Sequence, residues 1–199
     1  MIIEIYGEHP EPRKIRRAVS ALRDGEVIAY PTDTAYGLGC DLLNRRAIDK
    51  LYGIKGVERS VQFAFICHDL SDVARYTHLE QEAYRLLRKV LPGPYTFILE
   101  ATREVPKQLH SRRRTVGVRV PSHPVPIALV RELGNPILTT SAGPHHGQPY
   151  VDAHEIDARF RGLEVVLDAG LGSTELTTVV DLTQKVVVRE GAGPIDELF

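Results

Sequence analysis

The feature that most constrains this chain is an alternation, kept up from end to end, of short apolar runs with stretches of helical periodicity. After Pro12, the residues Ile15, Ala18, Val19 and Leu22 recur at helical spacing, and Gly25 supplies a stop. VIAY (27–30) then reads as a short strand. Asn44 is a good N-cap for a helix with Ala47, Ile48 and Leu51 on one face. FAFIC (63–67) reads as a strand, and Ala83, Leu86, Leu87 and Val90 mark an amphipathic helix that ends at Pro92 and Gly93. YTFILEA (95–101) and TVGVRV (115–120) read as strands, and 124–133 as a helix with Pro124 at its first turn and Gly134 at its stop. PILTTSA (136–142), LEVVLDA (163–169), TTVVDLT (177–183) and KVVVRE (185–190) complete a strand-rich second half. The pattern predicts an α/β or α+β domain, a twisted mixed sheet with helices packed against it.

Composition agrees with one such domain. The 199 residues, 43% hydrophobic, suffice for a sizeable core, and neither a repeat nor a linker divides them. A net charge of −1 excludes a global field toward nucleic acid or membrane. The basic residues are nevertheless clustered: Arg103, Lys107, Arg112, Arg113, Arg114 and Arg119 face one acid, Glu104. The triplet Arg112–Arg113–Arg114 is either solvated surface or a contact for RNA phosphates. Cys40 and Cys67 fit no metal spacing and end apolar stretches, which suits buried thiols in a reducing compartment. With no apolar N-terminal segment and no run near ~18 apolar residues, a soluble, cytoplasmic protein is expected.

Five strand ends or loops carry polar residues that a core does not require. In PTDTAYG (31–37), Thr32 and Thr34 offer hydroxyls, while Gly37 and Gly39 allow close backbone approach or positive φ. The competing reading is a hydroxyl-stabilised turn with Tyr36 packed in the core. Lys55 follows a helix end and either complements the helix dipole or meets a phosphate. Strand alternation puts Thr115, Gly117 and Arg119 on one face, so Arg119 projects beside a glycine with room for a carboxylate or phosphate. Thr139, Thr140 and Ser141 end an apolar strand ahead of a glycine-rich loop, 143–149, whose amides suit an anion. His145 and His146 in that loop lack a third ligand, so no metal site is expected. Arg189 ends a β-branched run. Phosphate-loop, dinucleotide-fingerprint, GxSxG and HExxH patterns are missing.

In their order, PTDTAYGLG, KGVER, PGPYTFIL, VGVRVP, SAG, TTVVDL and REGAG, these segments resemble the YrdC/YciO family, the threonylcarbamoyl-AMP synthase domain, and within it the YciO-like branch. The match spans about residues 15 to 195. The resemblance implies a single YrdC-like domain over 1–199, with helices flanking a twisted mixed sheet around a basic concave cleft. It also implies a reaction: L-threonine is carboxylated with bicarbonate and the carbamate is adenylated by ATP, with Mg²⁺ accompanying the nucleotide and no tightly bound metal. The product serves tRNA modification, and some members are described as binding tRNA or double-stranded RNA. By this resemblance Thr32, Thr34, Tyr36, Arg119, Ser141 and Thr177 lie against the amino acid. Lys55, Arg59, Ser141 and Arg189 meet the nucleotide, and Lys55 and Arg119 are the catalytic pair. Two motifs differ: Val57 and Glu58 replace the arginine and proline of KxRP, and Gly143 replaces the asparagine of SAN. Losing a guanidinium from a phosphate removes charge-assisted bonds of about 1.5–3 kcal/mol each, so a slowed reaction is expected. Arg59 is the candidate substitute for the arginine, and His145 or Gln148 for the asparagine. The alternative function is a non-catalytic RNA-binding module of the same fold.

Overall fold

Capping and periodicity set the helices where the sequence places them. The computed structural model describes residues 1–109, 113–196 and 198. Its elements in chain order are β1 (Ile2–Glu4), α1 (Pro12–Arg23), β2 (Val27–Tyr30), β3 (Gly37–Asp41), α2 (Arg45–Lys55), β4 (Ala64–Ile66), α3 (Leu70–Tyr76) and α4 (Gln81–Val90). There follow β5 (Tyr95–Glu100), β6 (Thr115–Arg119), α5 (Pro124–Leu133), β7 (Ile137–Ser141), α6 (Ala153–Arg159), β8 (Leu163–Asp168), β9 (Thr178–Asp181) and β10 (Val186–Arg189). Asn44 Oδ1 accepts from the amides of Arg46 and Ala47 and so starts α2. Gly134, at φ 86°, ends α5 in the left-handed conformation that favours glycine.

The strands form one mixed sheet in the order β1-β8-β2-β3-β7-β4-β6-β5-β9-β10. Alternation along them separates two cores. One face carries Val27, Ala29, Leu138, Phe65, Val118 and Phe97 against the buried sides of α2, α3, α4 and α6. The other carries Ile28, Tyr30, Ile137, Ile66 and Val165 under α1 and α5. That second cluster reaches only as far as Ile66 and Ile137. Beyond them the same face continues with Ala64, Thr139, Gly117 and Ile98, side by side through the registers of β4, β7, β6 and β5, and these residues line a cavity. The open face is therefore the part of the sheet that α1 and α5 do not cover.

Four short elements escape the sequence reading. They are β1, α3, α6 and β3, of three to seven residues each. The last corrects the reading of Gly39 as a ligand-approach glycine, whereas Gly37 lines the cavity. Both are strand residues paired to β2 and β7, and neither has positive φ. A Cβ on Gly39 would stand 2.8 Å from the Tyr30 ring and 2.6 Å from Ile137 Cγ2, so the missing side chain seats the buried tyrosine. No helix among the described residues is long and apolar enough to cross a membrane.

Candidate active site

The cavity, about 220 Å³, is lined from seven strands and the turns between them. Its polar lining includes Thr34, Thr96, Thr139, Thr140, Ser141 and Thr177, and its charged lining is Arg119 and Arg189. Among the described residues no carboxylate lines it. Small residues, Gly37, Ala64 and Gly117, make the floor low where large side chains would fill it.

Arg119 leaves the end of β6 and is 91% buried, being 9% exposed. Its Nη2 donates to Asp33 Oδ1 at 3.0 Å and to Thr34 Oγ1 at 3.2 Å. Its Nε is buried without a partner among the described residues. Burial lowers the Arg119 pKa, and the charge of Asp33 opposes that shift. Arg189 reaches from β10 and donates from Nε and Nη2 to the Thr177 carbonyl at 3.1 and 2.9 Å. Desolvation against this edge, and then the positive charge of Arg119, hold the Arg189 pKa down. Two guanidinium groups that raise each other's energy favour an anion between them. Thr177 Oγ1 also meets Thr96 Oγ1 at 2.9 Å, which joins β5 and the start of β9 into one polar wall.

The turn after β2 is both of the things its sequence allows. Thr32 Oγ1 accepts from the Thr34 amide at 3.1 Å and donates to the Ala35 carbonyl at 2.7 Å, so its hydroxyl belongs to the turn and Thr32 does not line the cavity. Tyr36 does line it. Its hydroxyl donates to the Gly170 carbonyl at 2.7 Å and accepts from the Ala169 amide at 3.1 Å, which pins the 169–172 segment.

Lys55, the last residue of α2, stands beside the cavity and not in its lining. Its Nζ donates to the carbonyls of Ser141 and Gly143 at 2.6 and 2.5 Å, clamping the segment that presents Ser141. Burial lowers its pKa to about 8. Arg59 pairs with Asp49 and lies over the Tyr52 ring, 4.8 Å from its centroid, outside the lining. Of the altered motif positions, Val57 and Gly143 are committed to packing, and Glu58 is exposed. Val57 packs against the main core. A Cβ on Gly143 would stand 2.6 Å from Pro149 Cα and 2.9 Å from the Gln148 carbonyl, so the returning loop occupies that space. His145 and Gln148 are exposed and outside the lining.

The cavity thus gathers Thr34, Tyr36, Arg119, Ser141, Thr177 and Arg189, and leaves Thr32, Lys55 and Arg59 outside its lining. Arg113 and Arg114 are exposed and also outside it. Arg114 instead shares a surface groove with His78, Arg103 and Lys107. Arg112 lies outside the described residues. Sequence reading misses Thr96 and Gln62, which line the cavity, and Asp33, which holds Arg119. Thr96 had a signal, a polar residue in step with the other face of YTFIL, and Asp33 sits inside the quoted turn.

Comparison with known proteins agrees with this geometry. The Sua5/YciO/YrdC family model, described as "Telomere recombination", matches residues 20–191. The YciO protein of Escherichia coli is 39% identical over 196 residues, 96% of this chain and 95% of that protein. Its crystal structure superposes with a TM-score of 0.95 at 37% identity, covering 100% of this chain and 99% of that one. A threonylcarbamoyl-AMP synthase of Chromobacterium violaceum is 35% identical over 182 residues, 90% of this chain and 94% of the relative. The structure of Pyrococcus abyssi Sua5 complexed with L-threonine matches with a TM-score of 0.92 at 30% identity, over 99% of this chain and 59% of Sua5. A mixed sheet that leaves an arginine- and threonine-lined face open, matched over nearly its whole length by these relatives, places this chain in the Sua5/YciO/YrdC family.

Proposed function

We propose that this protein is a threonylcarbamoyl-AMP synthase of reduced rate, using L-threonine, bicarbonate and ATP in the cytoplasm to supply tRNA threonylcarbamoyladenosine modification. One observation carries the reading: a cavity with two arginines, several hydroxyls and no carboxylate among the described residues, on the fold of a relative whose structure contains L-threonine. At about 220 Å³ the cavity is below the ~300–1,000 Å³ of clefts that enclose drug-sized ligands, a size suited to an amino acid.

In this reading Arg119 holds the threonine carboxylate through its unpartnered Nε. Thr34, Thr177 and the Tyr36 ring enclose the rest of the amino acid. The threonine nitrogen attacks the bicarbonate carbon and water leaves. A carbamate oxygen then attacks the α-phosphorus of ATP, and pyrophosphate departs with its Mg²⁺. A carbamate is short-lived in water, so holding it in the cavity with the phosphorus brought to the cavity mouth accounts for much of the catalysis. Arg189 and Ser141 face the developing charge on phosphorus. Lys55 supports that side by fixing Ser141. The positions that carry arginine and asparagine in the family motifs are occupied here by core packing and by a returning loop, which lowers the expected adenylation rate.

Pyrophosphate release from ATP that requires both L-threonine and bicarbonate tests the proposal. Arg119→Ala should lower kcat/KM for L-threonine about 100-fold, the loss of one buried charge-assisted contact of ~3 kcal/mol. Background release by the folded wild-type protein with both substrates at millimolar concentration would overturn it.

A further inference from the structure

We infer that Asp33, held by Ser122, is a positioning residue that leaves the Nε donor of the Arg119 guanidinium unpaired for the ligand's anionic group. The inference rests on reading the cavity as an amino-acid pocket.

Asp33 is not part of the cavity lining, so any effect it has on a ligand passes through Arg119. The Asp33–Arg119 pair is itself secluded, with side chains 9% and 10% exposed. It is single-pronged. Asp33 Oδ1 takes one bond from Arg119 Nη2 at 3.0 Å. The other oxygen, Oδ2, is turned away, accepting from the Ser122 amide at 3.1 Å and from the Ser122 hydroxyl at 3.2 Å. A free carboxylate beside a guanidinium favours the two-pronged arrangement, which would use both donors of the fork. Ser122 prevents this by holding Oδ2.

The consequence is visible on Arg119. Thr34 Oγ1 takes a second bond at Nη2, at 3.2 Å, so that nitrogen is saturated. Nε remains a buried donor without an acceptor among the described residues, in a residue that lines the cavity. A buried unsatisfied donor is uncommon in a folded protein and marks a group that is completed by something else. The three segments involved, the turn after β2, the end of β6 and the connection into α5, meet nowhere else in these hydrogen bonds. Asp33 therefore sets the rotation of the guanidinium and half-compensates its charge. Ser122 ensures that the compensation is not complete.

The test combines calorimetric binding of L-threonine with the Nε–Hε resonance of Arg119 in the full chain, assigned by its loss in Arg119→Lys. Asp33→Asn should weaken L-threonine binding about 10-fold and raise the L-threonine KM with kcat within about twofold. Ser122→Ala, which removes only one bond and leaves the fold least disturbed, should weaken binding about threefold. In Asp33→Asn the Arg119 Nε–Hε peak should shift and exchange faster. L-threonine should move the wild-type peak, and L-threoninol, which lacks the carboxylate, should not. Tighter binding in Asp33→Asn, or a peak unchanged in both variants, would overturn the positioning role. A wild-type peak that ignores L-threonine, with Asp33→Asn still shifting it, would overturn the amino-acid reading of the cavity and leave the Asp33 effect standing.

Discussion

Individual side chains around the cavity do different work from what their types suggest. Lys55 is the clearest case. The family resemblance places this lysine on a nucleotide phosphate, yet it is folded onto two carbonyls and buried. Its pKa falls from 10.5 to about 8 because burial penalises the charged form. The sign of the effect on stability follows. Between about pH 8 and 10.5 the unfolded chain binds the proton and the native chain does not, so this residue makes the native state more stable as pH rises through that window. Urea unfolding of wild type and Lys55→Met, compared from pH 7 to 10, should show the wild type gaining up to about 1.4 kcal/mol per pH unit relative to the variant above pH 8. A difference that stays constant across that range would contradict the buried, shifted lysine.

At the scale of elements, one connection bears on a departure from the family's motifs. The segment after β7 returns on itself: Gly143 N donates to the Ser141 carbonyl, and Tyr150 N to the Ala142 carbonyl. Pro149 and Gln148 then close over the Gly143 Cα. Installing the family's asparagine by Gly143→Asn should cost about 1–3 kcal/mol, because the atoms in the way are backbone and cannot rotate aside. Urea denaturation reads this directly, and an unshifted midpoint would show that the loop yields. The elements missed by sequence reading have a common cause. The helices α3 and α6 are seven residues each, too short for a full apolar period, although Asp69 and Asp152 announce them by accepting from the next amides but one. The strand β3 is hidden by its two glycines, which read as turn residues until Tyr30 is seen lying across them.

For the whole molecule, the governing fact is a ten-strand sheet covered fully on one face and partly on the other. Protection should follow that cover. Amide hydrogen exchange is expected to be slowest in β3, β7 and β4, which have a strand on each side, and orders of magnitude faster in β10, an edge strand with Val186 and Val188 exposed. Equal protection of β10 and β7 would contradict this ranking. The sequence by itself determined the fold class, the main helices and most strands, because periodicity and caps are local properties. It also determined, through the order of its motifs, the family and six of the residues that line the cavity. Only the tertiary structure decided which hydroxyls and cations face that cavity. Thr32 and Thr34 are two residues apart in one turn, yet one is consumed by the backbone and the other meets Arg119. Asp33 and Ser122 are 89 positions apart and form one device. Hydrogen-bond partners across such separations are chosen by packing, and no local pattern records them.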